Sequence, residues 1–260
     1  MSQHVKPPKQ ILDNVWQFTE GEEPYFDVNA YLIIGEKSAL LVDALQSETG
    51  LLDEIKKLTD KPLEVFITHG HRDHAGNASR ELHDAGIPIY MSHRDCDLLK
   101  GMADYGLERD WLIDLPPGHV FDLGSCRFEI LLVEGHSSGS MAALDKEHQL
   151  LFSGDSIGSG HFWMQLPFCS PLHVFRDALE KLAAVCTDCP DLLVFPGHRS
   201  QSPVQLTGQY VKDTLYITNG LVDGSLKGEP ASMPWHNGEM KFAKIGYGQM
   251  ISYCYDPANI

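Results

Sequence analysis

Apolar positions in the first third of the chain come in short runs bounded by turn residues. Asn14–Thr19, Asp27–Ile34 and Ala39–Asp43 read as strands, with Gly35 and Lys37 marking the turn between the last two. The period then changes. Leu51, Leu52, Ile55 and Leu58 recur at helical spacing, which predicts a helix over Glu48–Leu58. Leu63–Thr68 is a short apolar run that fits a buried strand. A helix over Asn77–Ala85, a strand over Ile87–Met91 and a helix over Arg94–Met102 follow. Strands return at Phe128–Val133 and in a hairpin of Ala142–Leu144 with Leu150–Ser153, which turns around Asp145, Lys146 and Glu147. Pro171–Val185 sets Val174, Phe175, Ala178, Leu179, Leu182 and Val185 on one helical face. A strand at Leu192–Phe195, a helix near Val204–Leu221, a loop rich in Gly, Pro, Ser and Asn over Lys227–Met240 and a last strand at Met250–Tyr255 complete the chain.

Strands followed by a helix, twice over, predict an α/β protein. Two such halves facing each other make a four-layer α/β/β/α sandwich, expected here as a single domain over residues 1–260.

Composition narrows the setting. No run approaches the roughly 18 apolar residues of a membrane span, and no apolar stretch follows the first basic residues as in a secretory leader, so a cytoplasmic protein without membrane contact is expected. The net charge of −16, from 36 acidic and 20 basic residues, repels a polyphosphate backbone and argues against nucleic acid as partner. Six scattered cysteines suggest no disulfide framework. Cys186 and Cys189 form a lone C-x-x-C with no second pair to complete a zinc tetrahedron, which favours ordinary buried or surface thiols.

The chemistry lies elsewhere. Thr68-His69-Gly70-His71-Arg72-Asp73-His74 stands directly after an apolar strand and before a helix. Three imidazoles and one carboxylate within six residues form a dense set of metal-ligating groups. A loop leaving a strand end can turn His69 and His71 toward one point, while Asp73 and His74 enter the next helix and face a neighbouring one. Two metals about 3.5–4 Å apart need such a split. The plain alternative is a polar loop capping the following helix through Asp73 or Asn77. Against it stand three more ligand-type residues, each preceded by glycine at an apolar strand's end: His136 after Gly135, Asp155 after Gly154 and His198 after Gly197. One such residue is ordinary turn chemistry. The coincidence of all of them is not.

The H-x-H-x-D-H segment with His136, Asp155 and His198 resembles the metallo-β-lactamase superfamily over roughly Asn14–His198. The resemblance implies the α/β/β/α fold with a site at the edge where strand ends meet. It further implies that His69, His71 and His136 bind one divalent metal, that Asp73, His74 and His198 bind a second, and that Asp155 bridges them. Zinc is the first choice, with manganese or iron as alternatives. Asp43, also at the end of an apolar strand, corresponds to an aspartate that supports the ligand loop, where a carboxylate can orient a ligand imidazole. The implied activity is hydrolysis of an ester, thioester or lactone of a small molecule by metal-held hydroxide, with Asp73 as the catalytic residue that holds the nucleophile and relays its proton.

Within the family, Asp155 argues against a true β-lactamase, which usually lacks the bridging aspartate. His71 argues against the flavin-linked di-iron relatives, which carry glutamate there, and acidity disfavours the transfer-RNA nucleases. The tail after His198 reads as one helix and a strand pair, which makes a weak match to the helical glutathione-binding extension of glyoxalase II. A mononuclear iron persulfide dioxygenase, using His69, His136 and Asp155, and a phosphodiesterase of the same fold are the alternatives. Ile157–Met164 reads as a glycine-hinged aromatic loop that could line a substrate pocket, with His161 and Trp163 as the candidate substrate-binding residues and Tyr25 and Phe26 as an opposite wall. His173 is a further imidazole near this region with no assigned role. In the tail, Trp235 and His236 could reach a pocket or a neighbouring subunit of a homodimer.

Overall fold

A computed structural model of the chain describes residues 5–22, 26–46, 50–99, 107–158, 161–199, 204–231, 242–247 and 251–260. The first half runs β1 (Lys9–Leu12), β2 (Val15–Glu22), β3 (Phe26–Ile34), β4 (Ala39–Val42), α1 (Leu51–Leu58), β5 (Leu63–Phe66), α2 (Ala78–Asp84), β6 (Ile89–Met91) and β7 (Leu112–Asp114). Its seven strands lie side by side in chain order. They are antiparallel as far as β4 and parallel from there on, because the connections become crossovers.

The second half runs β8 (Val120–Asp122), β9 (Arg127–Leu132), β10 (Met141–Asp145), β11 (Leu150–Gly154), β12 (His161–Met164), α3 (Leu172–Asp188), β13 (Leu193–Pro196), β14 (Leu206–Thr207) and α4 (Gly208–Asp223). Its six-stranded sheet has the order β14-β13-β11-β10-β9-β8. β12 stays out of it and heads a third sheet, β12-β17-β16-β15, with β15 (Glu229–Ala231), β16 (Phe242–Tyr247) and β17 (Ile251–Tyr255).

Three apolar layers hold this together, which is what four structural layers require. Side chains alternate across each strand, so the all-apolar β4 sends Leu40 and Val42 inward and Ala39 and Leu41 outward. The inward set meets Phe66, Phe128, Ile130, Phe152 and Phe195 between the two main sheets. The outward set packs under α1 and α2, through Leu51, Ile55 and Leu82. On the far side, Leu151 and Val194 pack under α3 and α4 with Phe175, Leu179 and Val211, and the third sheet joins that layer through Phe162 and Tyr253. The expected α/β/β/α sandwich is therefore the architecture, with a small third sheet added. Among the described residues no helix is long and apolar enough to cross a membrane.

Several elements differ from the sequence expectations. The helix expected over Arg94–Met102 is a single 3-10 turn, His93–Asp95, continued by tight turns in which Leu98 N–H donates to the Asp95 carbonyl. Ser92 Oγ caps that turn by accepting from Arg94 N–H, and residues 100–102 lie outside the described residues. The expected loop over Ile157–Met164 ends in β12, whose parallel partner β17 lies about ninety residues further on, beyond the reach of local pattern. The helix near Val204 starts only at Gly208, after the short β14. Part of the expected loop at Lys227 is β15, whereas Trp235 and His236 lie outside the described residues, as does Tyr25. The edge strands β1, β7 and β8 are too short to carry a periodic signal. No disulfide is present among the described residues, and Cys186 and Cys189 are buried at the end of α3.

Candidate metal centre

Strand direction brings the polar cluster together. β4 and β5 are parallel, and β9, β11 and β13 share one direction in the facing sheet, so all five end at the same edge of the sandwich. Asp43 follows β4, the His69–His74 loop follows β5, His136 follows β9, Asp155 follows β11 and His198 follows β13. Carboxyl ends of strands are where α/β sheets leave open backbone and room for a ligand. Hydrogen bonds stitch the halves together there, among them Met141 N–H to the Thr68 carbonyl at 2.9 Å, Asn29 N–H to the Gly197 carbonyl at 2.8 Å and Tyr31 Oη–H to the Pro196 carbonyl at 2.7 Å.

The side chains form two overlapping groups. In the first, His71 Nδ1 lies 3.0 Å from His69 Nε2 and 2.9 Å from His136 Nε2. In the second, His198 Nε2 lies 3.3 Å from Asp73 Oδ2, and His74 Nε2 lies 3.8 Å from the same oxygen. Asp155 stands between them, with Oδ2 3.6 Å from His136 Nε2 and 3.3 Å from His198 Nε2, and Oδ1 3.4 Å from His74 Nε2. All seven residues expected at the centre meet at this one place.

What lies behind each imidazole sets which nitrogen faces inward. His74 Nδ1 donates to Asp43 Oδ2 at 2.8 Å, and that carboxylate also accepts from Thr68 N–H at 2.8 Å and Thr68 Oγ1 at 3.0 Å. Since the Thr68 hydroxyl proton goes to Asp43, its oxygen accepts from His69 Nδ1 at 3.1 Å. His136 Nδ1 donates to the Trp163 carbonyl at 3.0 Å, and His198 Nδ1 to the Asp27 carbonyl. The Nε2 atoms of His69 and His136 are thereby left as bare acceptors. His71 Nδ1 can donate to only one of them at a time, so no proton arrangement satisfies all three nitrogens. A tetrahedral zinc at about 2.0–2.1 Å from each nitrogen would hold them about 3.3 Å apart, close to the spacing found. His74 Nε2 and Asp155 Oδ1 are likewise buried without a well-formed hydrogen bond. The residues present fit divalent metal ions.

Electrostatics divides the groups in the same way. Burial, reinforced by neighbouring imidazoles, holds His69 well below the ordinary histidine range and His136 at about 4, so both are neutral and able to donate a lone pair. Burial also lowers His71. In the second group burial opposes charge, but Asp155 and Asp73 outweigh it and raise His74 to about 10 and His198 well above its usual range. His74 and His198 in turn overcome burial at Asp73 and Asp155 and hold both carboxylates ionised. The second group is thus an assembly of cations and anions in which a metal ion can take the place of protons.

Asp43, expected as a support, touches both His74 and the ligand loop. It sits at φ +63°, a left-handed conformation that aspartate tolerates better than most residues. Capping by Asp73 is not seen, and α2 begins after Asn77 without a side-chain cap. His161 and Trp163 lie on β12 with half-buried side chains, their ring centroids 5.5 Å apart, and His161 Nδ1 is hydrogen-bonded to Ser252 Oγ. His173 Nδ1 donates to the Ile260 carbonyl at 3.0 Å. Sequence reasoning missed Thr68 and the carbonyls of Asp27 and Trp163. Thr68 was legible as the residue that enters the motif, but a carbonyl leaves no trace in sequence.

The region that carries these contacts is the one shared with known proteins. The family model described as "Metallo-beta-lactamase superfamily" matches residues 24–198. An acyl-coenzyme A thioesterase of Gallus gallus is 27% identical, over 54% of this chain and 61% of that protein. Hydroxyacylglutathione hydrolase GloC of Haemophilus influenzae is 29% identical, over 48% of this chain and 64% of that protein. The chain thus spans somewhat over three fifths of the length of each. In fold it is similar to a metallo-beta-lactamase from Pontibacter korlensis, with a TM-score of 0.65 at 18% identity over 83% of this chain and 99% of that one. Since the matched span takes in every side chain of the two groups together with the residues behind them, the chain belongs to the metallo-beta-lactamase superfamily.

Proposed function

We propose that this chain is a dinuclear metal-dependent hydrolase that cleaves an ester, thioester or lactone bond of a small molecule. The observation that carries the reading is the convergence of three imidazole nitrogens whose protons cannot be arranged to satisfy one another, beside a buried carboxylate oxygen without a well-formed bond. His69 and His136 through Nε2 and His71 through Nδ1 would hold one ion. Asp73, His74 and His198 would hold the other, with Asp155 between them. Bound there, two divalent cations, zinc first, would polarise a carbonyl oxygen and lower the pKa of a water to about 7.

The chain's own residues supply the rest. Asp73 is 24% exposed and Asp155 8%, so Asp73 is the more open carboxylate and the one suited to hold the attacking water and pass its proton to the leaving group. Asp43, Thr68, Trp163 and Asp27 hold four of the five imidazoles at fixed angles, so little reorganisation is left for the reaction itself. His161 and Trp163, two apart on one strand, share a face, and the Trp163 backbone touches His136. They form the wall against which the substrate's organic part rests. The relative named as an acyl-coenzyme A thioesterase supports thioesters as the first bond to test.

Elemental analysis of protein purified without chelator, with a panel of thioesters, lactones and phosphodiesters, tests this reading. Two zinc or manganese ions per chain and turnover of a thioester or lactone are expected. One iron per chain with oxygen uptake would replace the reading by the dioxygenase, turnover of the phosphodiesters alone by the phosphodiesterase, and no bound metal would end it. A narrower expectation concerns Gly197, where an added Cβ would lie 2.4 Å from His74 Cε1 and 2.6 Å from Asp155 Oδ1. Gly197→Ala should weaken the second ion about 10–100-fold, and the first by less because it shares only Asp155 with the disturbed side chains, as read by chelator competition.

A further inference from the structure

The 3-10 turn that replaces the expected helix after β6 carries Asp95, which is buried at 1% exposure although, among the described residues, no lysine or arginine pairs with its carboxylate. Those contacts are three donors. Oδ2 accepts from Gly70 N–H at 3.0 Å and from Ser137 Oγ at 2.6 Å, and Oδ1 accepts from Gly139 N–H at 2.7 Å. Gly70 is the residue between His69 and His71, while Ser137 and Gly139 belong to the turn that follows His136. The two segments come from different sheets, and their imidazoles make up the first group.

We infer that Asp95 is the positioning residue of that group, one carboxylate that ties the His69–His71 loop to the His136 turn and so sets the separation of their three inward nitrogens. The inference rests on the metal-binding reading above and assigns a role within it to a residue that lies outside the ligand motif.

Three features of the surroundings support it. Both glycines are needed for the carboxylate to come so close: a Cβ at Gly139 would lie 2.6 Å from Asp95 Oδ1, and one at Gly70 2.8 Å from the Asp95 carbonyl. Ser137 is fixed in turn, since its hydroxyl lies 2.6 Å from Ser140 Oγ, which also accepts from Ser137 N–H at 3.1 Å. The neighbouring Arg94 is engaged outward, with Glu134 Oε2 at 3.0 Å and the Ser138 carbonyl at 3.4 Å, so it braces the same turn from the solvent side. A buried carboxylate gives up much solvation, and its position is retained only where fixed donors replace water. Here two of the three donors are backbone amides of the loops that carry the imidazoles. A shift of the carboxylate therefore moves the ligands themselves.

Asp95→Asn tests the idea, because it keeps shape and volume but turns one acceptor oxygen into a donor that faces an N–H. The measurements are zinc affinity by chelator competition, the visible spectrum of the cobalt(II) protein and thermal unfolding of the metal-free chain. Expected are a loss of first-ion affinity of about 10–100-fold and altered cobalt bands, from a chain that still unfolds cooperatively. Ser137→Ala removes one donor and leaves both amides, so a smaller loss, under about tenfold, is expected, and it serves if the first variant does not fold. A wild-type chain that binds two metals while both variants keep its affinity and cobalt spectrum, even with lowered thermal stability, would make Asp95 a purely structural residue. A wild-type chain that binds no metal would remove this inference together with the function it rests on.

Discussion

Asp155→Ala is expected to lower kcat/KM by about a thousandfold or more, on the scale seen when a preorganised electrostatic group is removed from a catalytic site. The reason lies in its place. Its two oxygens face His74, His136 and His198 at 3.3–3.6 Å, so its carboxylate reaches imidazoles of both groups. Without it, the ions would lose the anion between them, and His74 and His198 would lose the carboxylate that does most to hold their charge. Steady-state kinetics beside metal counting would check this. Loss of activity should come with loss of one or both ions, and an Asp155→Ala chain that keeps two ions and full turnover would remove Asp155 from the reaction.

Asp43→Ala should be the most destabilising single change at the site, about 4 kcal/mol or more by denaturant unfolding of the metal-free chain. The carboxylate is buried at 1% exposure and accepts from Thr68 N–H, Thr68 Oγ1 and His74 Nδ1. Truncation strands three buried donors, each costing about 1–3 kcal/mol. It also puts alanine at φ +63°, where aspartate and asparagine are better tolerated. Asp43→Asn keeps that backbone preference and one acceptor oxygen and should therefore lose clearly less. Equal losses for the two variants would mean that the hydrogen bonds to Asp43 contribute little.

Much of the architecture was legible because each strand–helix unit carries its own period. β4 reads as a buried strand because all four of its residues are apolar, and α3 because its apolar face repeats over four turns. The candidate ligands were legible because each stands where an apolar run ends, which is where a strand's last carbonyls face the open edge. The sequence was silent where structure depends on distant pairing. β12 looks like a loop until β17 lies beside it, and His93–Asp95 has helical composition but is held in a tight turn by contacts to two other segments. The supports of His136 and His198 were hidden for another reason, since they are backbone oxygens.

The Trp163 carbonyl has a consequence for how such a protein can drift. Any residue that keeps β12 extended offers His136 the same oxygen, so selection for a well-aimed imidazole places no demand on the side chain at position 163. The constraint falls instead on the register between β12 and β17, where His161 stands opposite Ser252 and Trp163 opposite Cys254. An insertion or deletion in the C-terminal strand would be felt at a histidine more than a hundred residues away in the chain, while the most visible residue near it could change freely between lineages.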